Sequence, residues 1–280
     1  MTVQEIAAAF LIKPKTMEQR ITRAKHTINE ADIPFGIPDL MERNRRLKNV
    51  MLMLYLLFNE GWSASSGETQ IKPTLCNEAI RLARLLLDLF PGMSELMGLL
   101  ALVLFQHSRR HSRLEKSGKL IPLEEQSREL WDQEMIAEAN ILLEKALRHA
   151  TPGTYQIQAA IAAVHTKSTS ASSTDWAEIE RLYAALYLFE PTAVVKLNHA
   201  SAVAKICGPK AALEMLTPLE DDLKTYRWYH AALGAFHLEL KNFNDAKKAY
   251  QQVLFLQPTK QERFFTIQKI AECENKSSHL

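Results

Sequence analysis

The chain has 280 residues, of which 47% are hydrophobic and 24% charged, with nine glycines and a formal net charge of +2. That length allows one extended array or two domains with a sizeable core, and the near-neutral balance excludes a basic nucleic-acid coat, so any DNA affinity has to be local. Ala, Leu, Glu, Lys and Arg dominate and β-branched runs are few, which is the composition of an all-α protein.

From the N-terminus, Thr2 and Glu5 form a T-x-x-E capping box, and Val3, Ile6, Ala7 and Phe10 follow at helical spacing. Leu11 to Lys13 make a short connector, and Pro14 suits the first turn of a second helix. In that helix Met17, Ile21, Ala24 and Ile28 are expected to face inward. Between Leu11 and Ile28 five basic residues, Lys13, Lys15, Arg20, Arg23 and Lys25, stand against the single acid Glu18. A short amphipathic helix, a tight corner and a basic second helix describe a helix-turn-helix, whose second helix enters the major groove. The five cations would then meet phosphates, and Thr16 and Gln19 would reach base edges. A solvated basic helix is the competing reading of the same pattern. About 27 residues cannot bury a core alone. The pair is therefore expected either to continue upstream of Met1 or to pack on the helices that follow.

Asn29 to Asp39, with Pro34, Gly36 and Pro38, reads as a linker. The chain divides at 1–32, 33–39 and 40–280. Arg43, Arg45, Arg46 and Lys48 open the next helix and either extend a basic surface toward DNA or lie on a solvated helix end. Met51 to Phe58 and Leu96 to Phe105 are apolar but too short to span a bilayer, so no membrane association is expected.

Beyond residue 40 helix pairs recur, in a degenerate tetratricopeptide-like pattern. The pattern is strongest in YRWYHAALGAFHLELKNFNDAKKAYQQVLFLQP, where Leu233, Gly234, Phe243, Ala246, Tyr250 and Pro258 occupy the large, small, large, small, large and terminator positions. Related second halves stop at Pro91, Pro152 and Pro191. The concave face of such an array binds a peptide or a partner domain. Two inserts interrupt it: a basic connection from Ser108 to Leu123 with a turn at Ser117–Gly118, and a Ser/Thr-rich loop from Thr166 to Thr174, ended by a helix capped by Asp175 or Thr174.

Enzyme chemistry finds little support. Gly61-Trp62-Ser63-Ala64-Ser65 lacks both the strand and the closing glycine of a nucleophile elbow. His107 and His111 stand four apart on a predicted helix, but Arg109, Arg110 and Arg113 would repel a cation, so a basic surface patch is expected there. His165, on an apolar helix, reads as a satisfied buried histidine or as a functional one. Asn59, Glu60 and Trp62, at the end of an apolar helix, join His165 as candidate partner-binding residues. Closing the helix end and the turn after it is the competing role. No phosphate-loop, dinucleotide or C-x-x-C motif is present, so no cofactor, metal ligand or catalytic residue is expected. Three separated cysteines, Cys76, Cys207 and Cys273, and the lack of a leader-like start suit a cytoplasmic protein.

The stretch EIAAAFLIKPKTMEQRITRAKHTI resembles the second half of region 4 of bacterial extracytoplasmic-function sigma factors. In that family an E-I-A-x-x-hydrophobic helix and an R-x-x-R-A-(K/R) helix bind the −35 promoter element. IPFGIP at 33–38, MLYLLFNEGWSASSG at 53–67, YQIQAAIAAVH at 155–165 and TDW at 174–176 resemble the subgroup with a tetratricopeptide-like C-terminal extension. Nearly the whole chain is covered, although region 2 and the first half of region 4 have no counterpart in it. The resemblance implies an all-α fold, an N-terminal helix-turn-helix remnant followed by the helical array. It also implies promoter DNA as a partner, RNA polymerase core wherever upstream sigma domains are present, and a protein or peptide partner on the array.

Overall fold

The computed structural model describes residues 1–31, 36, 39–65, 71–115 and 118–277. Among these residues the regular structure is helical, and one isolated β-bridge joins Leu114 to Leu120. The linker expected at 33–39 and the Ser117 half of the expected turn lie largely outside the described residues.

α1 (Val3–Ala9) begins with the capping box: Glu5 N–H donates to Thr2 Oγ1 at 3.2 Å and Thr2 N–H to Glu5 Oε2 at 2.6 Å. Leu11 turns the corner with a left-handed φ of 51°, and Pro14 opens α2 (Pro14–Glu30). The inward face of this pair is shorter than the sequence predicts. Ala7 and Met17 are buried and Ile21 half-buried, but Ala24 is exposed, and Phe10 and Ile28 are 47% and 63% exposed. The reason is length. α1 is about 10 Å long and α2 about 25 Å, so the second half of α2 runs beyond the partners that cover its first turns.

α3 (Leu40–Trp62) starts where Asp39 accepts from Glu42 N–H at 2.8 Å. It is followed by α4 (Pro73–Leu89), α5 (Ser94–Ser108), α6 (Gln133–Arg148) and α7 (Thr154–Lys167). α5 is buried without interruption from Leu96 to Phe105, and α3, α4, α6 and α7 all pack on it. A helix that is apolar on every side belongs at the centre of a core, which is where the run too short for a bilayer resides. Glu95 at the start of α5 accepts from the backbone N–H groups of Tyr155 and Gln156 at 3.1 Å each. One helix thereby caps another.

The remainder is α8 (Trp176–Phe189), α9 (Ala193–Cys207), α10 (Pro209–Leu216), α11 (Glu220–Leu223), α12 (Arg227–Glu239), α13 (Phe243–Phe255) and α14 (Lys260–Ser277). α7 packs on α8, α8 on α9, α9 on α10, α12 on α13, and α13 on α14. The apolar core is segmented to match. Ile157, Ile179 and Leu186 form one cluster, Leu197, Leu216 and Tyr229 the next, and Phe243, Tyr250 and Cys273 the last.

Helices end where the sequence places their terminators: α4 before Pro91, α6 before Pro152, α8 before Pro191 and α13 before Pro258. In the last pair a Cβ on Gly234 would lie 2.8 Å from the Tyr250 ring, so only glycine admits that ring. Asp175 caps α8 by accepting from Glu178 N–H at 2.9 Å.

Candidate functional site

Two regions hold the residues that the sequence singles out. The first is α2. Helical spacing puts Lys15, Thr16, Gln19 and Arg23 on the side opposite Met17, with Arg20 and Lys25 flanking them and Lys13 at the entry. All seven are exposed. Among the described residues none of the five cations takes part in an ion pair. Several arginines elsewhere on the surface are neutralised: Arg81 by Glu78 at 2.8 Å, Arg148 by Glu144 at 2.5 Å and Arg181 by Glu178 at 2.6 Å. The start of α3 follows the common rule. Arg45 and Arg46 both close on Glu42 at 2.7 Å, and Arg43 stacks over Phe90 at 5.2 Å. Glu42 thus offsets part of the charge of this cluster.

Lys72, just before α4, joins the N-terminal pair to the array. Its Nζ lies 2.7 Å from Glu5 Oε1 and 2.6 Å from Glu60 Oε1. Glu60 is buried at 5% exposure and accepts from Ser65 N–H at 3.1 Å. It closes the helix end and the turn, as does Asn59, whose carbonyl accepts from Ser63 N–H at 2.8 Å. For Glu60 the side chain itself makes these contacts, whereas for Asn59 the contact is through its backbone. Gly61 permits the fit, since a Cβ there would meet Cys76 N and Sγ at 2.8 Å.

The second region is built around Trp62. α5 ends at Ser108, and a 3-10 turn (Arg110–Ser112) brings Arg109 and Arg113 over the last turn of α3. The result is an alternating stack. Arg113 Cζ lies 4.1 Å from the Trp62 ring centre, Arg109 Cζ 5.6 Å from Trp62 and 5.7 Å from Trp131, and Arg128 Cζ 4.2 Å from Trp131. Trp131 is fixed by donating from Nε1 to Ser112 Oγ at 2.9 Å. The guanidinium groups find only neutral acceptors. Arg109 donates to Gln106 Oε1, Arg113 to the Trp62 carbonyl, and Arg128 to the carbonyls of Leu123 and Gln126 at 3.0 and 3.1 Å. Among the described residues none of the three is in an ion pair, although neighbouring Arg110 is, with Asp132 at 2.9 Å.

The charge is felt throughout this cleft. Burial, helped by the charges of Arg113 and Arg128, pushes Arg109 down to about 9. Burial brings Arg113 to about 10 and also lowers Arg128. His165 is pushed to about 4 by burial and by the charges of Arg109 and Arg128, and its ring lies edge-on to Trp176 at 5.4 Å. Trp62 and His165, candidates from distant parts of the sequence, are thus both under the influence of Arg109.

Two expectations are corrected here. His107 and His111 do not share a helix, because α5 ends between them. His107 is buried and held near 4 by burial and by the charges of Arg110 and His111, while His111 is exposed. Nor are Arg109 and Arg113 a surface patch. Both are half-buried against tryptophan. Stacking on two indole faces and partial burial of the apolar stems offset the desolvation of the head groups. The sequence holds only a faint trace of this, a four-residue spacing of Arg109 and Arg113 and a three-residue spacing of Arg128 and Trp131.

A cavity of about 580 Å³ opens between α12, α13 and α14, walled by Trp228, Phe243, Tyr250 and Phe265, with Arg227 and Glu262 among its polar lining. Among the described residues no group of His, Cys, Asp and Glu side chains is arranged to hold a metal ion. None of their helices is long and apolar enough to cross a membrane.

Residues 46–147 match a family of unknown function (DUF6596). That span runs from α3 through α6 and includes Trp62, Arg109, Arg113, Arg128 and Trp131. The chain is similar to an uncharacterized protein of Rhizobium meliloti (strain 1021), with 48% identity over 256 residues, which is 91% of this chain and 60% of the relative. The chain therefore spans about 60% of the length of that relative. No solved structure matches it.

Proposed function

We propose that the protein is a transcription-initiation regulator of the sigma-factor type. In this reading α1 and α2 form a helix-turn-helix that binds promoter DNA of the −35 kind, and the tetratricopeptide-like array is its regulatory, protein-binding part. The supporting observation is the face of α2. Lys13, Lys15, Arg20, Arg23 and Lys25 are exposed and free of ion pairs on a protein whose other surface cations mostly have carboxylate partners. Charges so placed release counterions from a duplex at no cost in broken salt bridges. The resemblance to extracytoplasmic-function sigma factors supports the same reading. RNA polymerase core enters as a partner only together with upstream sigma domains.

The test is fluorescence anisotropy of the full chain with labelled duplexes over a series of salt concentrations. Substituting Arg20→Ala and Arg23→Ala together weakens binding to every sequence and reduces the salt slope by about 2. Substituting Gln19→Ala relaxes preference among sequences with little change in that slope. An unaltered affinity and slope in the double variant removes the DNA role from α2.

A second reading, a scaffold without DNA binding in which α1 and α2 cap the array, draws on the Glu5–Lys72–Glu60 cluster that ties α1 to α3 and α4. It predicts no duplex affinity at any salt concentration, and a loss of stability when Lys72 is replaced.

A further inference from the structure

We propose that the stack Arg113–Trp62–Arg109–Trp131–Arg128 is a receptor for a phosphate-bearing small molecule, gripped by guanidinium edges rather than by ring faces. This goes beyond the DNA reading and does not depend on it, since none of these residues lies on α2.

The stack leaves hydrogen-bond donors unused. Trp62 is approached by both Arg113 and Arg109, and Trp131 by both Arg109 and Arg128. Both indoles are thus engaged by two guanidinium groups, which disfavours an aromatic ligand stacking there. Each guanidinium carries five N–H donors, and the hydrogen bonds described above use one or two of them. Arg128 Nε is enclosed and has no hydrogen-bond partner. Trp62, Arg109, Arg113 and Arg128 each keep part of their surface exposed.

Charge then selects the ligand. A ladder that served packing alone would have its cations neutralised, as Arg110 is by Asp132 and Arg227 by Glu262. Three adjacent guanidinium groups bonded only to neutral oxygens, with Glu262 acting on Arg113 through its charge alone, suit a compact anion of more than one charge. Phosphate fits bidentate guanidinium edges and carries close to two charges at neutral pH. A lone carboxylate would offset only one cation. The His165 ring, depressed by burial and by the charges of Arg109 and Arg128, is the reporter of occupancy: a bound dianion offsets the part due to the arginines and raises its pKa.

The experiment titrates the full chain at constant ionic strength with inorganic phosphate, pyrophosphate, ribose 5-phosphate and citrate. Binding is followed by calorimetry and tryptophan fluorescence, and His165 is titrated by NMR. Saturable binding of at least one phosphate probe is expected, stronger than citrate and accompanied by a rise in the His165 pKa. The relative strengths of inorganic phosphate and ribose 5-phosphate tell a free anion from a phosphate ester. Arg109→Gln weakens binding about 10- to 100-fold, the loss of one charge-assisted hydrogen bond, whereas Arg148→Gln on the far surface of α6 changes nothing. Should Arg109→Gln not fold, Arg113→Lys keeps the charge but loses the planar fork, and weakens binding in the same direction. Binding no stronger than that of citrate, affinity unaltered by both ladder variants, or no saturable binding overturns the proposal.

Discussion

The guanidinium of Arg227 donates from Nη2 to the carbonyl oxygen of Ala64 at 3.0 Å, joining residues 163 positions apart. Its Nη1 reaches the Ser65 carbonyl, also at 3.0 Å, and its Nε lies 3.1 Å from Glu262 Oε2. One side chain at the start of α12 therefore fastens α12 and, through Glu262, α14 to the turn after α3. That turn also carries Trp62 and Glu60. The fold is consequently less open than a chain of nearest-neighbour helix pairs, because one polar contact spans most of its length.

Replacing Arg227 with Ala removes the donors from two backbone carbonyls and leaves Glu262, buried at 4% exposure, without its arginine. Breaking a buried ion pair by deleting one partner costs about 3 to 5 kcal/mol. Urea unfolding should show a loss of that order. Hydrogen exchange should show faster exchange both at the start of α12 and in the turn of Ala64 and Ser65, segments 163 residues apart in sequence. Full stability in the variant would mean that Arg227 does not fasten the two ends.

The docking of α1 should depend on pH through Glu5. Burial opposes its ionisation, but hydrogen bonds from Lys72 and from the Thr2 N–H outweigh it, and the carboxyl titrates below its ordinary 4.5. A depressed carboxylate contributes stability that is present above pH 4.5 and is lost as pH falls through the lower folded value. Exchange protection in α1 should therefore collapse on acidification before that of α5. Lys72→Met should produce the same loosening at neutral pH. Protection of α1 that is independent of both pH and Lys72 would count against this account.

His107 predicts a second, higher window. Buried among α3, α5 and their neighbours, it is pushed by burial and by the charges of Arg110 and His111 to about 4, against an ordinary 6.5. Between those values the unfolded chain binds the proton and the folded one does not, so stability falls as pH drops from about 6.5 toward 4. A full shift of this size corresponds to about 3 kcal/mol at most. In His107→Gln the slope of unfolding free energy against pH over this window should flatten, whatever the variant does to stability at pH 8.

How much was legible in the sequence depended on the range of the physics involved. Capping, helix ends and helix interiors are local. Thr2 with Glu5, Asp175 before α8, the prolines after α4, α6, α8 and α13, and the Gly234–Tyr250 contact follow from spacing within one or two turns or one hairpin. The basic face of α2 is equally a matter of helical period. Its apolar face was overread, because periodicity tells which residues share a side but not how far the covering partner extends, and Ala24 and Ile28 lie past the end of that cover.

What only the tertiary structure decided is which charges are neutralised and which are not. Arg109, Arg110 and Arg113 look alike in a basic connection, yet Arg110 pairs with Asp132 while the other two stack on tryptophan. Trp62 stands 51 residues before Arg113, whose side chain bonds its carbonyl, and no local pattern encodes that meeting. Helix packing sets it: Gly61 lets α3 and α4 close, α5 ends at Ser108, and the 3-10 turn that follows carries two guanidinium groups onto one indole. Secondary structure is written in short-range sterics and hydrogen bonds. An uncompensated cluster of charge exists only once distant segments have displaced the water that would have screened it.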